Sequence, residues 1–134
     1  MNYTGKKQFK VTNNWDDDMN CVIEIDFNHP DVVDKIKNMV EFWSGWEDLL
    51  YDNDEDYVKA FLKMTGADIQ RVALERDYNT QGVRSAYDDR EGWYKMDGTD
   101  GITILQHSTI EWDEDDFEIE ETSGVKKFEV NLFA

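Results

Sequence analysis

Between residues 21 and 27 every second side chain is apolar, and only Val22 breaks the polar character of the intervening positions. Cys21, Ile23, Ile25 and Phe27 fall on one side, and Val22, Glu24 and Asp26 on the other. Successive strand residues point to opposite faces, so a period of two that segregates four apolar side chains predicts a strand with one face buried. Residues Lys7 to Thr12 repeat the pattern more weakly through Phe9 and Val11. The loop from Asn13 to Asp18 joins the two segments, which predicts an antiparallel hairpin with a long connection.

After the hairpin the period changes. Asn28 or His29 is positioned to cap a helix, Pro30 suits its first turn, and Asp31 would complement the positive end of the helix dipole. Val32, Val33, Ile36, Met39, Val40 and Trp43 then recur at helical spacing, and Ser44-Gly45 marks a stop. A short acidic connection leads to a second helix from about Asp54, with Tyr57, Val58, Phe61 and Leu62 inward. Gly66 is expected to break it before a further helical piece from Asp68 to Arg76, with Ile69, Val72 and Ala73 inward. Residues 77 to 101 are polar, aromatic and punctuated by glycine, and carry no periodic signal. Alternation returns at Ile102–Gln106, Thr109–Asp113, Phe117–Glu121 and Lys126–Leu132. Strands, then helices, then strands predict an α+β fold: an antiparallel sheet from the N-terminal hairpin and the C-terminal strands, packed on two or three central helices. The 134 residues fit one domain spanning 1–134 and suffice for a core without disulfides or metal.

Charge narrows the function. Thirty-one acids against fourteen bases give a formal net charge of −17. That balance argues against direct binding to nucleic acid or an anionic membrane, and for a basic protein surface as partner, nucleic-acid-binding proteins included. Size scaling gives a folded surface of roughly 7,300 Å², or about one net charge per 430 Å². Duplex DNA carries about one per 110 Å². Imitation of DNA would therefore require the acids to gather on one face. With no apolar run of membrane-spanning length, no secretory leader and Cys21 as the single cysteine, the expected location is the cytoplasm.

Three acidic clusters stand out. In Glu111-Trp112-Asp113-Glu114-Asp115-Asp116-Phe117-Glu118-Ile119-Glu120-Glu121, eight of eleven residues are carboxylates. On a strand, Asp116, Glu118 and Glu120 would recur at roughly 6.6 to 6.8 Å, close to the spacing of successive phosphates; the plainer reading is a solvated strand face. The second cluster holds Glu47, Asp48, Asp52, Asp54, Glu55 and Asp56, part of which helix capping explains. Asp16, Asp17 and Asp18 form the third. Trp15, Trp46 and Trp112 each adjoin an acid, an arrangement suited to arginine, which stacks on the ring while pairing with the carboxylate. Sugar binding would use the same pairing, whereas Trp43 and Trp93 are expected in the core. The expected partner-binding residues are thus Glu111, Asp113, Glu114, Asp115, Asp116, Glu118, Glu120, Trp15, Asp16, Asp17, Asp18, Trp46, Glu47 and Asp48.

Catalytic and metal signals are weak by comparison. Residues 52–57 open like a calcium loop, but Tyr57 stands where glycine is required and Lys63 where a glutamate should be. His29 and His107 lie far apart, and Cys21 falls on the apolar alternation as a small buried hydrophobe. The expectation is no enzyme, no metal and no cofactor.

In its charge, its acidic run from Glu111 to Glu121 and its short aromatic-rich chain, the protein resembles small acidic proteins carried by phages and other mobile elements. DNA-mimic inhibitors of restriction or CRISPR systems are among them. The resemblance implies an acidic inhibitor that occupies a host protein's nucleic-acid groove, and assigns no individual residue. The alternative from the residues is a protein- or carbohydrate-binding module anchored by exposed tryptophan, with the acids mainly solubilising.

Overall fold

The computed structural model describes residues 3–14, 19–76, 79–108, 115 and 118–121. Three strands form one antiparallel sheet in the order β1 (Lys6–Thr12), β2 (Asn20–Asp26), β3 (Ile102–His107). The hairpin register sets Phe9 opposite Ile23 and Val11 opposite Cys21, while Ile23 and Ile25 face Ile104 and Ile102 across the other ladder. Cys21, Ile23 and Ile25 are buried, as the alternation requires, and Ile102 and Ile104 extend the same apolar face. Each such side chain removed from water stabilises the fold by roughly 1.5–3 kcal/mol. Lys6, Lys7 and Lys10 are exposed on β1, an edge strand, where charge discourages pairing with another chain.

Four helices complete the core, α1 (Val32–Glu41), α2 (Trp46–Asp52), α3 (Tyr57–Arg76) and α4 (Thr80–Ala86): α3 and α4 pack on the sheet, while α1 and α2 pack on α3. The α+β architecture is the expected one, with more helix than the periodicity revealed. In α1, Val32, Ile36, Met39 and Val40 are buried, but Val33 is exposed. Neither Asn28 nor His29 caps it. Asp31 occupies that position with φ 61° and no side-chain cap bond. Asp26 instead organises the approach, accepting the Asn28 N–H on its carboxylate and the His29 N–H on its carbonyl. Pro30 therefore precedes the first helical turn. The chain then reverses at Gly45, whose φ of 83° suits a residue without Cβ.

Gly66 does not break α3, which continues through it for 20 residues, about 30 Å of helix. A Cβ built there would come within 2.6 Å of Val11 Cγ1. The glycine lets a continuous helix lie close against β1, and the intrahelical hydrogen bonds outweigh a propensity penalty of about 1 kcal/mol. Val58, Phe61, Leu62, Ile69 and Val72 pack into the core as their spacing predicts.

Trp43, expected in the core, is instead 37% exposed. Because α1 ends at Glu41, the helical spacing that buries Met39 and Val40 does not reach it, and its ring turns edge-on to Phe42. Of the expected strand Phe117–Glu121, residues Glu118–Glu121 lie outside any strand and are exposed, Ile119 completely. Ile119 is flanked on both sides by carboxylates, and adding these residues to a sheet would crowd like charges without a continuous apolar face to bury. The strands expected at Thr109–Asp113 and Lys126–Leu132 lie outside the described residues. No helix among the described residues is long and apolar enough to cross a membrane.

Candidate functional site

The segment Trp46-Glu47-Asp48-Leu49-Leu50-Tyr51-Asp52 divides cleanly once it is wound into α2. Trp46, Leu49 and Leu50, at i, i+3 and i+4, are half-buried against the core. Buried Asn53 closes the helix, donating from Nδ2 to the Leu49 carbonyl at 2.8 Å. The opposite face carries Glu47, Asp48, Tyr51 and Asp52, all exposed. Tyr51 is the most exposed aromatic among the described residues at 76%. Glu47, Asp48 and Asp52 form no ion pair within 4 Å among the described residues.

The positions of these acids separate scaffold from surface. Glu47 and Asp48 sit in the first turn of α2, where the dipole favours a negative charge. Asp52 occupies the last turn, where the same dipole disfavours it and no basic residue offsets it. It contributes nothing favourable to its own helix, so its charge is available only to the surface. The remaining members of this cluster are structural. Asp56 accepts the Val58 and Lys59 N–H groups at the start of α3 and the Tyr3 hydroxyl at 2.7 Å. Burial, reinforced by that carboxylate, pushes the Tyr3 hydroxyl up to about 12. Asp54 pairs with Lys59 at 2.8 Å, a contact that lowers the carboxyl and raises the amine. The calcium-like loop is thus used to start a helix.

Of the residues expected to bind a partner, Trp46, Glu47 and Asp48 come together on α2, but Trp46 turns inward and only the two acids face out. Asp115, Glu118 and Glu120 are exposed. Trp15, Asp16, Asp17, Asp18, Glu111, Asp113, Glu114 and Asp116 lie outside the described residues. Sequence reasoning grouped Asp52 with Glu47 and Asp48 but missed Tyr51 on the same face. The signal was the i, i+3, i+4 spacing of Trp46, Leu49 and Leu50, hidden because the segment is only two turns long and dominated by its acids.

Beneath α2 lies a buried polar centre that no local pattern in the chain announces. Asp68 of α3, 6% exposed, accepts the Tyr87 hydroxyl at 2.6 Å and Arg90 Nη1 at 2.6 Å on one oxygen. Its other oxygen takes Arg90 Nη2 and Arg71 Nη1, each at 3.3 Å. Burial, then the Asp68 charge, drives the Tyr87 hydroxyl far above the ordinary phenol range, so it stays a donor. The hydrogen bond to Asp68 likewise raises Arg90. The Arg90 guanidinium also lies 5.0 Å from the Tyr87 ring centre and 5.5 Å from that of Trp93. This centre ties α3 to the end of α4 and the loop beyond it.

Over residues 20–119 the chain matches the family described as "Protein of unknown function (DUF2528)", and it belongs to that family. It is similar to "Protein ea10" of Escherichia phage lambda and to "Lambda prophage-derived protein ea10" of Escherichia coli O6:H1. Each is 33% identical over 112 residues, covering 78% of this chain and 90% of the relative. No solved structure matches the chain significantly. The expected kinship with small phage-borne proteins is met at that level.

Proposed function

We propose that this phage-type protein is an acidic binding module whose outward α2 face engages a basic protein surface. The observation that supports it most directly is the pairing of a 76% exposed Tyr51 with Glu47, Asp48 and Asp52 on one face. A phenol ring bordered by carboxylates fits an arginine or lysine side chain, which lies on the ring while its charge meets the acids. Aromatic anchors of this kind carry a disproportionate share of binding energy in protein interfaces, and the surrounding charge governs encounter rate and specificity. A net charge of −17 favours a strongly basic partner. Grooves that hold nucleic acid are the commonest surfaces of that description, so occupation of such a groove in a host protein is the form of the reading we favour.

The test is a pull-down from host lysate eluted in salt steps, run beside a Glu47→Lys, Asp48→Lys, Asp52→Lys variant and a Tyr51→Ala variant. The expected partner leaves at moderate salt, is displaced by added DNA or RNA, and is lost from both variants. Tyr51→Ala should weaken binding by roughly 30-fold if the ring is an anchor. A partner retained equally by the wild type and the charge-reversed protein would refute the α2 face. If Trp43→Ala weakens binding more than charge reversal does, and salt matters little, the module is tryptophan-anchored and the acids serve as a solubilising rim.

A further inference from the structure

The inner side of α2 borders an open-sided cavity of about 430 Å³, lined from the other side by α3. Three of the chain's five tryptophans, Trp43, Trp46 and Trp93, line it together with Leu49. Trp43 and Trp93 lie 6.0 Å apart at their ring centres. Lys63 and Arg71 also line it from α3, two turns apart, so about 12 Å of helix separates them with Ala67 between. The volume falls within the ordinary range of small-molecule sites, as does the combination of aromatic walls with a few polar groups.

We infer that this cavity binds a small, flat, aromatic anion, a carboxylate on a ring system of indole or naphthalene size. The walls select the body, since indole rings offer large apolar faces for stacking. The polar groups select the sign. Asp68 borders the cavity but its oxygens are already engaged by Tyr87, Arg90 and Arg71, which leaves little to attract a cation. Lys63 forms no ion pair within 4 Å among the described residues, and Arg71 is 63% exposed with one long contact to Asp68. A locally cationic pocket in a chain of net charge −17 is contrary to its composition. The site is distinct from the outward α2 face and does not depend on the partner proposed for it.

The test uses the full chain, labelled with nitrogen-15, titrated with 2-naphthoate while the tryptophan indole N–H resonances are followed by NMR. Expected are shifts of the Trp43, Trp46 and Trp93 signals with a Kd on the order of 1 mM or tighter. The uncharged analogue 2-naphthalenemethanol should bind at least about fivefold more weakly, and the 2-naphthylmethylammonium cation more weakly still. Lys63→Gln combined with Arg71→Gln should bring the carboxylate down to the level of the alcohol. Ala67→Trp, which places a bulky group at an exposed lining position, should block binding while leaving the melting temperature and the hairpin resonances unchanged. No indole shift up to about 10 mM naphthoate would overturn the site. A cation or alcohol that binds as well as the carboxylate would overturn the assignment of charge.

Discussion

Replacing Asp68 with alanine should destabilise the fold by about 3 kcal/mol, and the reasoning can be followed group by group. The Asp68 side chain is 9% exposed, and Tyr87, which donates to it at 2.6 Å, is fully buried. Without the carboxylate the phenol hydroxyl has no acceptor, which costs about 1–3 kcal/mol. Breaking a fully buried ion pair would add about 3–5 kcal/mol. Arg90, however, is 35% exposed and can turn toward solvent, so its share falls to about 1 kcal/mol. Arg71, at 63% exposure and 3.3 Å, adds nothing measurable. For a chain of 134 residues, a loss of about 3 kcal/mol lowers Tm by roughly 10–15 °C. Urea unfolding followed by circular dichroism would measure it, in a cycle with Tyr87→Phe. In the Asp68→Ala background the hydroxyl is already orphaned, so its removal should cost less than in the wild type, by about 1–2 kcal/mol. A loss below about 1 kcal/mol, or two substitutions that add within about 0.5 kcal/mol, would show that the centre is not the tie described.

Gly66→Ala should destabilise the wild type by about 1 kcal/mol, because the new methyl meets Val11 at 2.6 Å. In a Val11→Ala background the same change should stabilise by up to about 1 kcal/mol through helix propensity; a wild-type Tm that rises by several degrees would contradict the packing argument. Burial pushes the Cys21 thiol up to about 11, so the unfolded chain gives up this proton first. That contribution is complete below the unfolded value near 9 and is lost as pH climbs to about 11, with Tyr3 extending the loss from 10 to about 12. Urea midpoints measured across this window should fall, and Cys21→Ala should flatten the portion from 9 to 11. Self-repulsion at −17 should make Tm rise between about 10 and 150 mM salt, and a flat response would mean the acids are already paired or well dispersed.

Legibility in the sequence followed the strength of the periodic signal. The hairpin and β3 were readable because Cys21, Ile23 and Ile25, and Ile102 and Ile104, recur at every second position, and all five are buried. The interior of α1 was readable for the corresponding helical reason. Gly66 misled because propensity describes an isolated helix, whereas here the position is set by how closely α3 approaches Val11. Trp43 misled because periodicity identifies a face but not where the helix stops. At seven residues each, α2 and α4 are too short to establish a period. The capping contact of Asn79, whose side chain accepts the Gly82 N–H, marks α4 only once the structure is known. The Asp68 centre was invisible because Asp68, Tyr87 and Arg90 are separated by 19 and 22 residues, and nothing local distinguishes a paired aspartate from a solvated one.

The charge itself argues for a local rather than a distributed function. At the roughly 7,300 Å² that size scaling gives, the net charge of −17 averages about one per 430 Å². Averaged in this way the protein is about four times less charged than duplex DNA, at about one charge per 110 Å². A basic groove would therefore not take the molecule for nucleic acid on its mean field. The acids are also unequal in what they can offer. Asp56 and Asp68 are committed to hydrogen bonds within the fold, and Asp54 to Lys59. At the Debye length of about 8 Å in physiological salt, exposed charges act together only when they are near neighbours. Glu47, Asp48 and Asp52 meet that condition on one helix face, beside an aromatic ring that salt does not screen. Raising salt should accordingly remove most of the affinity of the α2 face, enough to release the partner from a pull-down, and leave a weak remainder that depends on Tyr51, whereas a purely electrostatic decoy would leave none.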